Sequence, residues 1–134
     1  MILEFLYRRQ IYKTTKVRIG KAVLNAIVAD TLVKKIIGLM FRDGLPKNTC
    51  MLFLFDHASN QGIWMRNMKF AIDIIWLDGG KGITGMVKNA RPATGVFDFK
   101  TYYPSRPSKY VIELPAGFLS RNRITGQSKV DLRI

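Results

Sequence analysis

The chain has 134 residues and a mass of 15.3 kDa, the size of one domain, and its 48% hydrophobic and 23% charged residues suffice to build a core. That composition excludes the disordered, collagen-like and disulfide-framework classes, and a single Cys cannot close an internal disulfide. The 22 Lys and Arg against 9 Asp and Glu leave a formal charge of +13 and a pI near 10.2, so a nucleic acid or another acidic partner has to be weighed.

In chain order, the opening segment Met1 to Tyr7 is apolar, but Glu4 interrupts it and Arg8 and Arg9 follow it, the reverse of a secretory signal. No apolar run approaches the ~18 residues of a membrane span, and a cytoplasmic protein is expected. Residues 16–28 carry β-branched side chains around a Gly20-Lys21 turn and read as a hairpin. Asp30 or Thr31 can cap one short α-helix near residues 31–38, where Leu32, Ile36 and Leu39 recur at helical spacing and Gly38 stops it. Beyond Leu45-Pro46, the run Met51 to Phe55 is apolar on both faces, as is Ile72 to Leu77, and both read as buried strands. The turn Asp78-Gly79-Gly80 joins the second to Gly82–Val87 as a hairpin. Residues 89–107, with three prolines, read as a long surface excursion, and strands follow at Tyr110–Leu114 and Lys129–Arg133. The sum is a mainly-β, β-rich α+β single domain: an antiparallel β-sandwich or a partly open barrel with one short helix.

Asp73 interrupts the apolar strand Phe70–Leu77, so its carboxylate needs hydrogen-bond donors or a cation, or else takes a raised pKa. Glu113 raises the same question: it lies between Ile112 and Leu114 and points away from both, so its side chain is either solvated or faces the same demand. The stretch Gln61–Lys69 mixes Trp64, Arg66 and Asn67 with two thioethers, the residue types that line small-ligand pockets. His57 is the only histidine, and Cys50 at the far end of the same strand would sit about 20 Å from it, which predicts a buried Cys and a surface His rather than a catalytic pair. One Cys and one His leave no zinc spacing, and no metal or cofactor is expected. Tyr102, Tyr103, Arg106, Lys109 and Tyr110 interleave aromatics with cations, a pattern that can stack bases and hold phosphates.

Taken as an ordered set, Gly38-Leu-Met-Phe-Arg42, Leu45-Pro46, Met51–Phe55, Trp64-Met-Arg-Asn67, Asp73–Asp78, Tyr103-Pro-Ser105 and Tyr110–Gly117 resemble the bacterial and archaeal family called domain of unknown function 192. The resemblance spans most of the chain and implies a compact, mainly-β domain with one short helix and no established activity. It departs from the family at Cys50, where Gly is usual, at Met68, where Thr is common, and at Lys88, near a position often acidic. It implies that a shared site would use Arg42, Asn67, Asp73 and Glu113 with Trp64, and Arg42 or Arg66 is expected to neutralise Asp73. The leading expectation is a non-catalytic domain, monomeric or weakly oligomeric, with a pocket at Arg42, Trp64, Arg66, Asn67, Asp73 and Glu113 for an anionic or sugar-like small molecule. The alternatives are a small hydrolase or isomerase using Asp73 and Glu113 as acid and base, and a basic protein that associates with nucleic acid.

Overall fold

Short β-branched and aromatic segments separated by turns can bury themselves only by pairing, and the computed structural model, which describes residues 2–134, joins them into one seven-stranded sheet. The elements are α1 (Ile2–Arg8), β1 (Lys13–Ile19), β2 (Ala22–Ala29), α2 (Leu32–Ile37), β3 (Thr49–Ser59), β4 (Ile63–Trp64), β5 (Ile72–Leu77), β6 (Ile83–Ala90), β7 (Thr101–Tyr102), β8 (Ser108–Pro115), α3 (Phe118–Arg121) and β9 (Val130–Leu132). The sheet runs β6-β5-β8-β3-β2-β1-β9 and curls into an open half-barrel, while β4 and β7 form a separate two-stranded ribbon. Of the two predicted architectures, the fold is thus the partly open barrel.

The two predicted hairpins are present: β1 pairs β2 from Lys13↔Val28 to Ile19↔Ala22, and β5 pairs β6 across the Asp78 turn. Thr31 caps α2, its hydroxyl accepting the Lys34 amide at 3.2 Å, and Gly38 ends that helix. Three expectations need correction. The sheet is not wholly antiparallel, because the connection through α2 returns the chain alongside β2 and pairs β2 with β3 in parallel. The helix at 32–37 is not alone, since α1 and α3 are also present. The excursion at 89–107 is shorter than expected, as β6 runs to Ala90 and β7 pairs back onto β4.

Both faces of the sheet are covered. On one face, Val17, Leu24, Leu52, Ile75 and Ile112 pack with Phe118 and Leu119 of α3 and with Ile124. On the other, Met51, Phe53, Ile74, Trp76 and Val111 pack beneath Leu39, Ile63 and Met65. Strand alternation sends neighbouring residues of β5 and β8 to opposite faces, and this parity decides the fate of the two acidic residues those strands carry.

Candidate functional site

Asp73 and Glu113 lie on adjacent strands, with Asp73 opposite Leu114 and Ile74 opposite Glu113. Asp73 shares its face with Ile75 and Leu77, whereas Glu113 shares the other with Met51, Ile74 and Val111. The two carboxyls therefore point to opposite sides of the sheet and cannot flank one substrate, so the acid–base pairing expected of them is not available.

Asp73 is fully buried and has found its donors: the Asn89 amide at 2.8 Å and the Leu119 amide, in the first turn of α3, at 2.9 Å. Neither Arg42 nor Arg66 reaches it, and it takes part in no ion pair among the described residues. Two backbone N–H groups, not an arginine, satisfy the carboxyl, and the one from Leu119 fastens α3 to the sheet. Asp73 is a structural anchor.

Glu113 is also buried, at 5% exposure, and of its two options solvation is ruled out, because α2 and the β4 segment cover its face. Its Oε1 has no hydrogen-bond partner, and burial pushes the carboxyl up to about 8, so near neutrality most molecules carry a protonated, uncharged Glu113. The residue lies on the wall of a cavity of about 330 Å³ between α2, β3 and β4. The walls are Ile37, Leu39, Met40, Phe53, Ile63 and Met68, with Leu32, Ile36 and Trp64 exposed towards the mouth. Gly38 forms the wall nearest the acid: a Cβ there would stand 3.3 Å from the Phe53 ring and 3.7 Å from Glu113 Oε1, and its φ of +51° also disfavours any side chain.

Two cations line the same cavity. Lys35 Nζ donates to the Leu54 carbonyl at 3.0 Å and lies 4.7 Å from the Phe55 ring centre. The Arg66 guanidinium sits 5.0 Å from the Trp64 ring and 5.3 Å from that of Phe99. Asn67 holds the cavity together without lining it: at φ +57° it turns the chain, its carbonyl accepts the Phe41 amide at 3.1 Å, and its Nδ2 donates to Met40 Sδ at 3.7 Å. The β4 side of the ribbon completes the wall, and a Cβ on Gly62 would stand only 2.7 Å from the Tyr103 ring, so a side chain there would have to push that ring aside. Trp76 fixes the same bend by donating its indole N–H to the Gln61 carbonyl at 2.6 Å.

Of the six residues expected to share a pocket, then, Trp64, Arg66 and Glu113 line one cavity, Asn67 shapes it, and Asp73 lies across the sheet. Arg42 lies elsewhere, 5.6 Å from the Tyr7 ring and 5.3 Å from the Tyr12 ring, where it ties α1 to the body. Lys35, Phe53 and Gly38 were missed; only Gly38 carried a local signal, as the stop of its helix. Cys50 is buried, its thiol pushed up to about 12 by burial, and His57 is exposed, which leaves no catalytic pair. The aromatic and cationic run at 102–110 is dispersed: Arg106 faces Asp78 at 3.7 Å and donates to the Ile83 carbonyl at 3.2 Å, and Tyr110 packs against the core. Among the described residues no cluster of metal-ligating side chains occurs, and no helix is long and apolar enough to cross a membrane.

Comparison with known proteins agrees with this architecture. A crystal structure of a Sinorhizobium meliloti protein, provisionally named a transcription regulator, superposes with a TM-score of 0.83 at 23% identity, covering 92% of this chain and 97% of its own. A protein of unknown function from Novosphingobium aromaticivorans gives 0.81 at 24% identity, covering 92% and 94%. At these identities the likeness shows the fold alone. Among curated sequences, a UPF0127 protein of Pyrococcus furiosus is 33% identical over 108 residues, covering 75% of this chain and 80% of the relative. A UPF0127 protein of Thermococcus sibiricus is 32% identical over 94 residues, and there the match spans only 55% of the longer relative. The model of the family DUF192, described as Uncharacterized ACR, matches residues 14–132, and the chain belongs to that family of unknown function.

Proposed function

We propose that the domain is a non-catalytic binding module whose cavity between α2 and β4 takes a small organic molecule with an apolar body and an anionic end. The observation that carries this reading is the Glu113 carboxyl, its Oε1 buried without a partner in the wall of a cavity lined mostly by apolar side chains. A buried polar group without a partner costs stability, and a ligand that accepts a hydrogen bond from the protonated acid removes that cost. Phe53, Ile37, Leu39 and Ile63 suit rings or alkyl chains, while Lys35 and Arg66 suit a carboxylate or phosphate. A sugar is the poorer fit, since its hydroxyls would lie against walls with few groups to pair them.

Thermal melting with octanoate, phenylpyruvate, glucose and ribose 5-phosphate tests this reading. A ligand at ~100 times its Kd adds about 2.7 kcal/mol, which raises the midpoint of a domain this size by several degrees. The shift is expected from the two apolar anions and not from glucose, and it should disappear in Ile36→Trp, which fills the mouth from an exposed helix position. No shift with either anion, or one unchanged in Ile36→Trp, rejects the reading.

A further inference from the structure

Beside the cavity, the loop between β6 and β7 carries its apolar side chains outward. Val96 is 69% exposed, Phe97 86% and Phe99 58%, within four residues of one another. A structure that buries Trp76 and Phe53 completely could bury these too; large apolar groups held in water mark a surface that meets something else. The loop itself is well braced. Asp98 accepts the Thr94 amide at 2.9 Å, the Thr94 hydroxyl at 3.2 Å and the Lys100 amide at 3.1 Å, and so turns the loop's only carboxylate inward onto its own backbone. Arg91 and Lys100 flank the loop, and Arg66 lies against Phe99; none of the three is in an ion pair among the described residues.

We propose that this braced loop docks the domain on an anionic lipid surface, with Phe97 and its neighbours Val96 and Phe99 entering the headgroup boundary while Arg66, Arg91 and Lys100 meet lipid phosphates. Exposed apolar side chains with cations in and beside the same loop are the composition that partitions into this boundary, where apolar insertion and charge attraction add. The net charge of +13 draws the domain to such a surface from a distance, and the exposed side chains orient it there. Through Arg66, which also stacks on Trp64, the loop adjoins the mouth of the cavity, so docking would set that mouth close to the lipid. The inference stands whether or not the cavity takes a ligand.

The test is co-sedimentation of the full chain with vesicles of phosphatidylglycerol mixed with phosphatidylcholine, and with phosphatidylcholine alone. Binding is expected to the mixed vesicles only. The double variant Phe97→Ser/Phe99→Ser keeps every charge and is expected to lose about tenfold in affinity. In a Phe97→Trp variant the indole emission should move to shorter wavelength when mixed vesicles are added. Equal binding by the double serine variant would mean that bulk charge alone acts, and would overturn the proposal. So would an unmoved emission, or sedimentation showing two copies joined through this loop in solution. Because these positions are exposed, the variants are expected to melt as the parent does, which separates lost docking from lost folding.

Discussion

Asp73 and Glu113 are both buried carboxyls, one residue apart in register on neighbouring strands, yet they have opposite fates. The face that receives Asp73 brings it two amides, so its oxygens are satisfied by fixed donors that tie it into the scaffold. The face that receives Glu113 offers none, so the acid takes up its proton and keeps its hydrogen-bonding capacity in reserve beside a cavity. Burial alone does not distinguish the two acids; what separates them is that one has fixed donors and the other faces a cavity without any.

The largest effect expected from breaking this contrast is on the Asp73 side. Asp73→Ala leaves two buried amides without an acceptor and should lower the unfolding free energy by about 4 kcal/mol in urea titration at neutral pH. A loss below about 1 kcal/mol would make the two acids alike after all. Next comes the pH dependence of Glu113. Its unfolded value lies near 4.5 and its folded value near 8, so between them the folded state holds a proton that the unfolded state has released. Stability therefore falls as pH rises through that window, by about 1.4 kcal/mol per unit, and levels off above it. Glu113→Gln removes the slope, and the parent should lose about 3 kcal/mol relative to that variant between about pH 5 and 7. Parallel curves for the two proteins would show that Glu113 has an unseen partner. The smallest effect is at the wall between the acid and Phe53. Gly38→Ala should cost about 2 kcal/mol, because a methyl is placed at a positive φ and against the ring. Gly38→Ala should also weaken octanoate binding, measured by the same melting shift, whereas Asp73→Asn should leave that binding unchanged in the folded fraction.

The contrast was only half legible in the sequence. Asp73 betrayed itself because its whole strand is apolar, so its need for donors followed from the chain alone, but the donors come from Asn89 and from Leu119, 46 positions away. Glu113 was left open between two environments because alternation says only that it points away from Ile112 and Leu114. Whether that side is wet depends on α2 and on the β4–β7 ribbon, which arrive from elsewhere in the chain. The hairpins and the cap and stop of α2 were readable because their signals are local, in Gly20, Thr31, Gly38 and the Asp78 turn. The parallel pairing of β2 with β3 was not, since nothing in either strand records the direction of its neighbour. Arg42 enters the candidate site only through the family resemblance, but Tyr7 and Tyr12 claim it, and nothing local in the sequence pairs it with either ring.

The strand order also governs when this chain can become a protein at all. β8 lies between β3 and β5, joining strands β1–β3, made from residues before 60, to a hairpin made from residues 72–90. Until residue 115 has left the ribosome, each half therefore presents an open edge, Met51–Leu54 on one and Ile72–Leu77 on the other, both apolar and well suited to pairing with a neighbouring nascent chain. Synthesis crosses its most hazardous interval there, and slowing translation through residues 91–107 should increase aggregation, while supplying β8 early should relieve it.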